Sequence, residues 1–173
     1  MNSRQQKYNA ITTHSSTHFL ILWFSIDGKL TKIVERVEAG QEPLLKGPET
    51  VILDNKGTVY AFARGAKLVQ LDDFQQDPQQ PPHILTARVT VAANLGHGEA
   101  VSGKFTKDGK TLYITDPILG LCRIRNFHDP AHRKLELVAD KVIDKDGNMT
   151  RILFADDVVI GPKSGKIYFS DGK

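Results

Sequence analysis

Residues 47–74 read GPETVILDNKGTVYAFARGAKLVQLDDF, and the pattern in that stretch returns twice more along the chain. Residues 98–127 read GEAVSGKFTKDGKTLYITDPILGLCRIRNF, and residues 155–173 read ADDVVIGPKSGKIYFSDGK. In each copy an apolar run meets a polar tight turn closing on Gly57, Gly109 or Gly165. A second run then carries Tyr60, Tyr113 or Tyr168. The glycines fall 52 and 56 residues apart, the tyrosines 53 and 55. A strand-turn-strand unit recurring at roughly 40 to 50 residues marks propeller blades, which bury their faces only against neighbouring blades. The expected fold is all-β, a partial β-propeller of about three N-terminal blades whose ring is not closed in this chain.

The third copy stops just past its second strand. An open half-ring would leave strand edges uncovered, so the reading implies a piece of a longer protein, or a chain whose ring a partner completes. Residues 1–15, polar and without periodicity, are expected to be disordered, and residues 16–173 to form the N-terminal half of the propeller domain. The run FLILWFSI from Phe19 to Ile26 is far too short for the ~20 residues that span a bilayer. Arg4 and Lys7 precede it, but no small-residue cleavage site follows. Asp27-Gly28 is a good hairpin turn between LWFSI and KLTKIV, so the region reads as a β-hairpin that could take part in ring closure. A degenerate signal or anchor is the alternative.

Strands are expected at 19–26, 29–37, 49–54, 58–63, 67–71, 101–106, 111–115, 121–125, 135–139, 157–161 and 166–170. These stretches are short, rich in Val, Ile, Thr, Leu and Tyr, and bounded by Gly, Asp, Asn and Pro. The Gln- and Pro-rich run from Phe74 to His83 reads as a long loop between strands of one blade, and Asp144 to Thr150 as a second polar loop.

Composition narrows the function classes. With 40% hydrophobic and 25% charged residues the chain has the make-up of an ordinary soluble globular protein. Its net charge of +3 is mild and its basic residues are scattered, which argues against nucleic-acid binding. Cys122 is the only cysteine, so no intramolecular disulfide or cysteine-based metal site can form, and it reads as a small buried hydrophobe. Ser102, in EAVSG, lacks the neighbours of a nucleophile elbow. GHGEAV at Gly96 has two glycines of a dinucleotide fingerprint but Val101 where the third belongs. His128 and His132 have the spacing of two helical ligands, but Pro130 between them points to a surface loop. Asn148-Met149-Thr150 is a glycosylation sequon, relevant only if the protein enters the secretory pathway; a lumenal and a cytoplasmic compartment both stay open as readings.

Two acids stand out through the repeat. Glu49 begins the inner strand of the first copy, five residues before Asp54, and Asp156 lies five before Gly161 in the third. Innermost propeller strands line the central channel, so carboxylates repeated at their starts would converge on the axis. Oxygen ligands around a water-accessible centre suit a hard cation such as calcium. Turn-capping or solvated acids are the plainer reading.

The same residues carry a family resemblance. GPETVILDNKGTVY resembles the G-P-E-S motif that opens the first blade of strictosidine synthase-like proteins of the adipocyte plasma membrane-associated type, within the paraoxonase–gluconolactonase (SMP-30) superfamily. Residues 98–124 are similar to that family's G-x-L-Y-x-x-D-x-x-x-G-L core, and FADDVVIGPKSGKIYFSD to its F-x-N-D-L-x-V…G-x-I-Y-F-T-D segment. The resemblance spans roughly Gly47 to Lys173. It implies a six-bladed propeller of which this chain supplies the N-terminal half, with an axial calcium bound at positions matching Glu49 and Asp156. Asp156 stands where the family has asparagine.

The function this implies is a calcium-dependent hydrolase of small-molecule esters or lactones, with its general base outside the chain. A non-catalytic propeller that binds or scaffolds is the alternative. Pictet–Spengler-type amine condensation is disfavoured, because the plant synthases carry a disulfide in the early blades and Cys122 has no partner.

Overall fold

The computed structural model describes residues 24–26, 29–37, 41–76, 78, 84–96 and 98–172. The expected disorder of residues 1–15, the apolar residues 19–23 and the Asp27-Gly28 turn lie outside them. The described residues form strands joined by turns, with no helix among them.

The first sheet is built on β3 (Val51–Leu53), β4 (Val59–Ala63), β5 (Lys67–Gln76) and β6 (Ile84–Asn94), an antiparallel meander. Two further strands extend it at the β6 edge: β2 (Lys29–Glu35), parallel to β6, and β1 (Phe24–Ile26), antiparallel to β2. The second sheet is a four-stranded meander of β7 (Ser102–Phe105), β8 (Leu112–Asp116), β9 (Gly120–Arg125) and β10 (Lys134–Ala139). Two hairpins follow. One joins β11 (Lys141–Ile143) to β12 (Met149–Arg151), the other β13 (Ala155–Ile160) to β14 (Ile167–Asp171).

The three repeat turns form as expected. Gly57, Gly109 and Gly165 take φ of +82°, +71° and +66°, a region only glycine enters without strain. Their N–H groups donate to the carbonyls of Asp54, Thr106 and Gly161. Tyr60, Tyr113 and Tyr168 each sit one residue beyond the first paired residue of the returning strand, on β4, β8 and β14. The repeat is therefore a real register equivalence.

Several strands depart from the sequence reading. Residues 84–94 were expected to hold no strand, yet β6 is the longest in the molecule's described part. Its Val89, Thr90 and Val91 favour extended backbone, and the Gln- and Pro-rich stretch of sequence ends before Ile84. The expected Phe74–His83 loop is shortened at its start, because β5 runs to Gln76 and pairs Gln75 with Thr86 and Gln76 with Leu85. The ladder shifts register between Asp72 and Gln75, where Asp73 takes φ +49°. Arg36 holds that kink, its Nη2 donating to the Asp73 carbonyl at 2.8 Å and carboxylate at 2.5 Å. The Asp144–Thr150 loop is really the tip of the β11–β12 hairpin, with Met149 and Thr150 in β12. The N-terminal hairpin sits on the first sheet's own β6 edge, where β2 covers backbone from Ile84 to Ala87 that would otherwise be unpaired.

The core lies between the first two sheets. Phe62, Leu68 and Ala93 from one meet Leu112, Ile114, Cys122, Ile124 and Phe127 from the other. Phe105 and Phe127 pack edge to face with centroids 4.8 Å apart, and Tyr60 joins them at 5.6 and 5.3 Å. The far face of the first sheet is buried too: Ala61, Val69, Leu71 and Ala87 pack with Ile33 and Leu45. The Glu35 carboxylate fixes that covering segment by accepting the N–H groups of Leu44 and Leu45 at 2.9 and 2.8 Å. The far face of the second sheet is polar, carrying Lys104, Tyr113, Arg123 and Glu136 in one cross-strand row.

Candidate functional site

Glu49 lies just ahead of β3, and Asp156 lies in β13 where its ladder with β14 shifts register between Ala155 and Val158. Glu49 lies four residues before the end of β3, and Asp156 four before the end of β13; the second-sheet counterpart is Val101, four before the end of β7. Backbone bonds extend the β3–β4 ladder to this point, with the Glu49 N–H donating to the Phe62 carbonyl and the Phe62 N–H to the Thr50 carbonyl, both at 3.1 Å. In the second sheet the Val101 N–H donates to the Thr115 carbonyl at 3.0 Å. Thr115 is wholly buried, and its hydroxyl donates to the Asp156 carbonyl at 2.6 Å. One residue thus ties the starts of β7 and β13 together. The neighbouring Asp157 supplies a second tie, its carboxylate accepting the Ser102 hydroxyl at 2.7 Å.

Glu49 opens onto a cleft of about 530 Å³ between the starts of β3 and β7. Gly47, Arg64, Ala66, Glu99 and Val101 line it as well. Glu49, Arg64 and Glu99 are all exposed, and none has a side-chain hydrogen bond or ion pair among the described residues. Glu99 had no place in the sequence reading. Its signal was its position just ahead of the inner strand of the second copy, two residues away from strict register with Glu49.

The donor chemistry of Glu49 and Asp156 fits a hard cation, since both are exposed carboxylates without a side-chain partner among the described residues. Two carboxylates supply only part of the six to eight oxygens that calcium takes. Among the described residues no three His, Cys, Asp or Glu side chains gather as a metal-holding group. The Arg64 guanidinium on the same cleft also opposes a cation there.

The other residues singled out in sequence take structural roles. Cys122 is buried in β9, and its thiol is pushed up to about 11 by burial, with the Asp116 charge adding to it, so it is neutral and unreactive at ordinary pH. Ser102 is buried and engaged with Asp157. His128 and His132 lie in a turn and face different partners: His132 Nδ1 is 2.7 Å from Asp129, and His128 Nε2 is 3.6 Å from Asp54 Oδ2. GHGEAV leads into a strand. Asn148, the sequon asparagine, is exposed at a hairpin tip. No helix among the described residues is long and apolar enough to cross a membrane.

No family model, curated protein or solved structure matches the chain. Its all-β class therefore stands on its own strand pairing, and its function on the residues themselves.

Proposed function

We propose that this chain is part of a six-bladed β-propeller of the strictosidine synthase-like branch of the paraoxonase–gluconolactonase superfamily, acting as a calcium-dependent hydrolase of esters or lactones. The architecture supports the propeller reading: two successive four-stranded meanders pack face to face, and the hairpin β13–β14 continues the series against β7 and β8. The observation that carries the functional reading is that Glu49 and Asp156 each stand four residues before the end of the first strand of a hairpin, β3 and β13. In that reading they are two calcium ligands, with further oxygens from outside the described residues. Calcium bound there would polarise a substrate carbonyl. The role of this chain's own residues is to fix the backbone that carries each carboxylate, Glu49 through the β3–β4 ladder and Asp156 through Thr115.

The Arg64 cation on the Glu49 cleft favours a second reading in which the propeller is a non-catalytic binding module. Calcium titration by calorimetry separates the two. Glu49→Gln should weaken calcium binding about tenfold or more, because anionic oxygens dominate affinity for this ion, and Asp156→Asn should be tolerated. Equal calcium affinity of wild type and Glu49→Gln rejects the ligand assignment and leaves the binding-module reading.

A further inference from the structure

We propose that the cleft between the first and second sheets binds a small zwitterion, a molecule bearing one ammonium and one carboxylate, such as an amino acid. The observation is a separation of charge. Arg64 faces the same cleft as Glu49 and Glu99, yet it forms no ion pair with either within 4 Å among the described residues. Other arginines, Arg36, Arg88, Arg123 and Arg125, do close onto carboxylates nearby. Arg64 instead lies along Gly47: a Cβ there would sit 2.6 Å from its Nε, so only glycine lets the side chain rest on that backbone. Gly47 also takes φ +49°, which would strain any other residue.

The result is a guanidinium laid along Gly47 and two carboxylates lining the same cleft, with no ion pair between them among the described residues. A volume of about 530 Å³ is in the range of small-molecule sites. The lining is small and apolar at Ala66 and Val101, so it offers room without bulky specificity for a long apolar tail. The complement of this arrangement carries opposite charges at its two ends. A carboxylate would meet the Arg64 fork in bidentate fashion, and an ammonium would meet Glu99 and Glu49. A bare divalent cation would satisfy the carboxylates but leave Arg64 repelled, and a simple anion would do the reverse.

This inference does not rest on the hydrolase reading. Glu49 is common to both, whereas Arg64 and Glu99 enter only here. The test is isothermal titration calorimetry of the full chain with glycine, 4-aminobutyrate and 6-aminohexanoate, against butylamine and butyrate as single-charge controls. At least one zwitterion is expected to bind about tenfold more tightly than either control. Arg64→Gln should abolish its advantage over butylamine, and Arg64→Lys should restore only part of it, because an ammonium lacks the fork. Glu99→Gln should reduce its advantage over butyrate. Arg64→Gln should not weaken calcium binding, since it removes a positive charge from the cleft, which keeps this outcome separate from that of Glu49→Gln. The proposal is overturned if no zwitterion binds, if the controls bind equally well, or if Arg64→Gln retains full zwitterion affinity with its far-ultraviolet circular dichroism intact.

Discussion

Tyr60 and Tyr168 hold the same place in their hairpins, yet Tyr60 is 3% exposed and Tyr168 54%. The difference is not local. Both follow a glycine-closed turn and both sit second in the returning strand. Tyr60 has the second sheet in front of it, so its ring packs on Phe105 and Phe127, and burial together with the nearby Asp54 charge raises its hydroxyl pKa. Tyr168 has no such neighbour among the described residues. The β14 strand shows only alternate half-burial, and Val159, its cross-strand partner, is also exposed. A repeat unit of this type forms its turn alone and acquires its core from the next unit.

The sharpest test of that contrast is truncation on each side of it. Phe62→Ala, at a side chain 1% exposed between the two sheets, should cost about 3–5 kcal/mol by leaving a cavity. Tyr168→Ala should stay within about 1 kcal/mol. Urea unfolding followed by circular dichroism measures both. A large loss at Tyr168 would mean that its surface is covered in solution and would break the comparison.

A smaller effect separates glycines. Gly120 takes φ +98°, and a Cβ there would lie 2.4 Å from the Ala139 carbonyl oxygen, so Gly120→Ala should cost about 2–3 kcal/mol or more. Gly165 needs positive φ as well but has open space around it, so Gly165→Ala should cost only about 1 kcal/mol. Matched melting temperatures for the two variants would show that the closely packed second sheet tolerates what the third hairpin tolerates, against expectation.

The least effect concerns the polar face of the second sheet, and it appears only in acid. Hydrogen bonds from Arg125 first, and then from Arg123 at 2.9 Å, hold the Glu136 carboxyl down at about 2. Its folded pKa is depressed, so its contribution to stability is full above its ordinary carboxylate range and is lost as pH falls toward about 2. Glu136→Gln should flatten part of the decline in melting temperature between pH 5 and 2. An unchanged acid profile would mean that these ion pairs are dispensable in solution.

Local chemistry in the sequence determined the turns and most of the hairpins. DNKGT at Asp54 and DKDGN at Asp144 build the same device. The aspartate Oδ1 accepts the N–H groups two and four residues on, and the glycine N–H returns to the aspartate carbonyl. The repeat also singled out Glu49 and Asp156, but the register shift between Ala155 and Val158 has no counterpart in the β3–β4 ladder. It missed β6 because that strand has no counterpart among the quoted copies, and it missed Glu99 and Arg64 because neither keeps a repeated register. The β3–β4 hairpin itself sets Arg64 against Gly47, with the Arg64 N–H donating to the Lys46 carbonyl at 2.9 Å; only tertiary packing brought Glu99 into the same cleft, and only packing told the two turns apart. Asp144 remains near solvent, its carboxyl held low by the hydrogen bond from Asn148. Asp54 is driven under the second sheet, its Oδ2 buried without a hydrogen-bond partner and 3.6 Å from His128. A turn needs only the five residues that form it, whereas burial and clefts depend on what lies across from them, which hydrogen bonds within a hairpin do not encode.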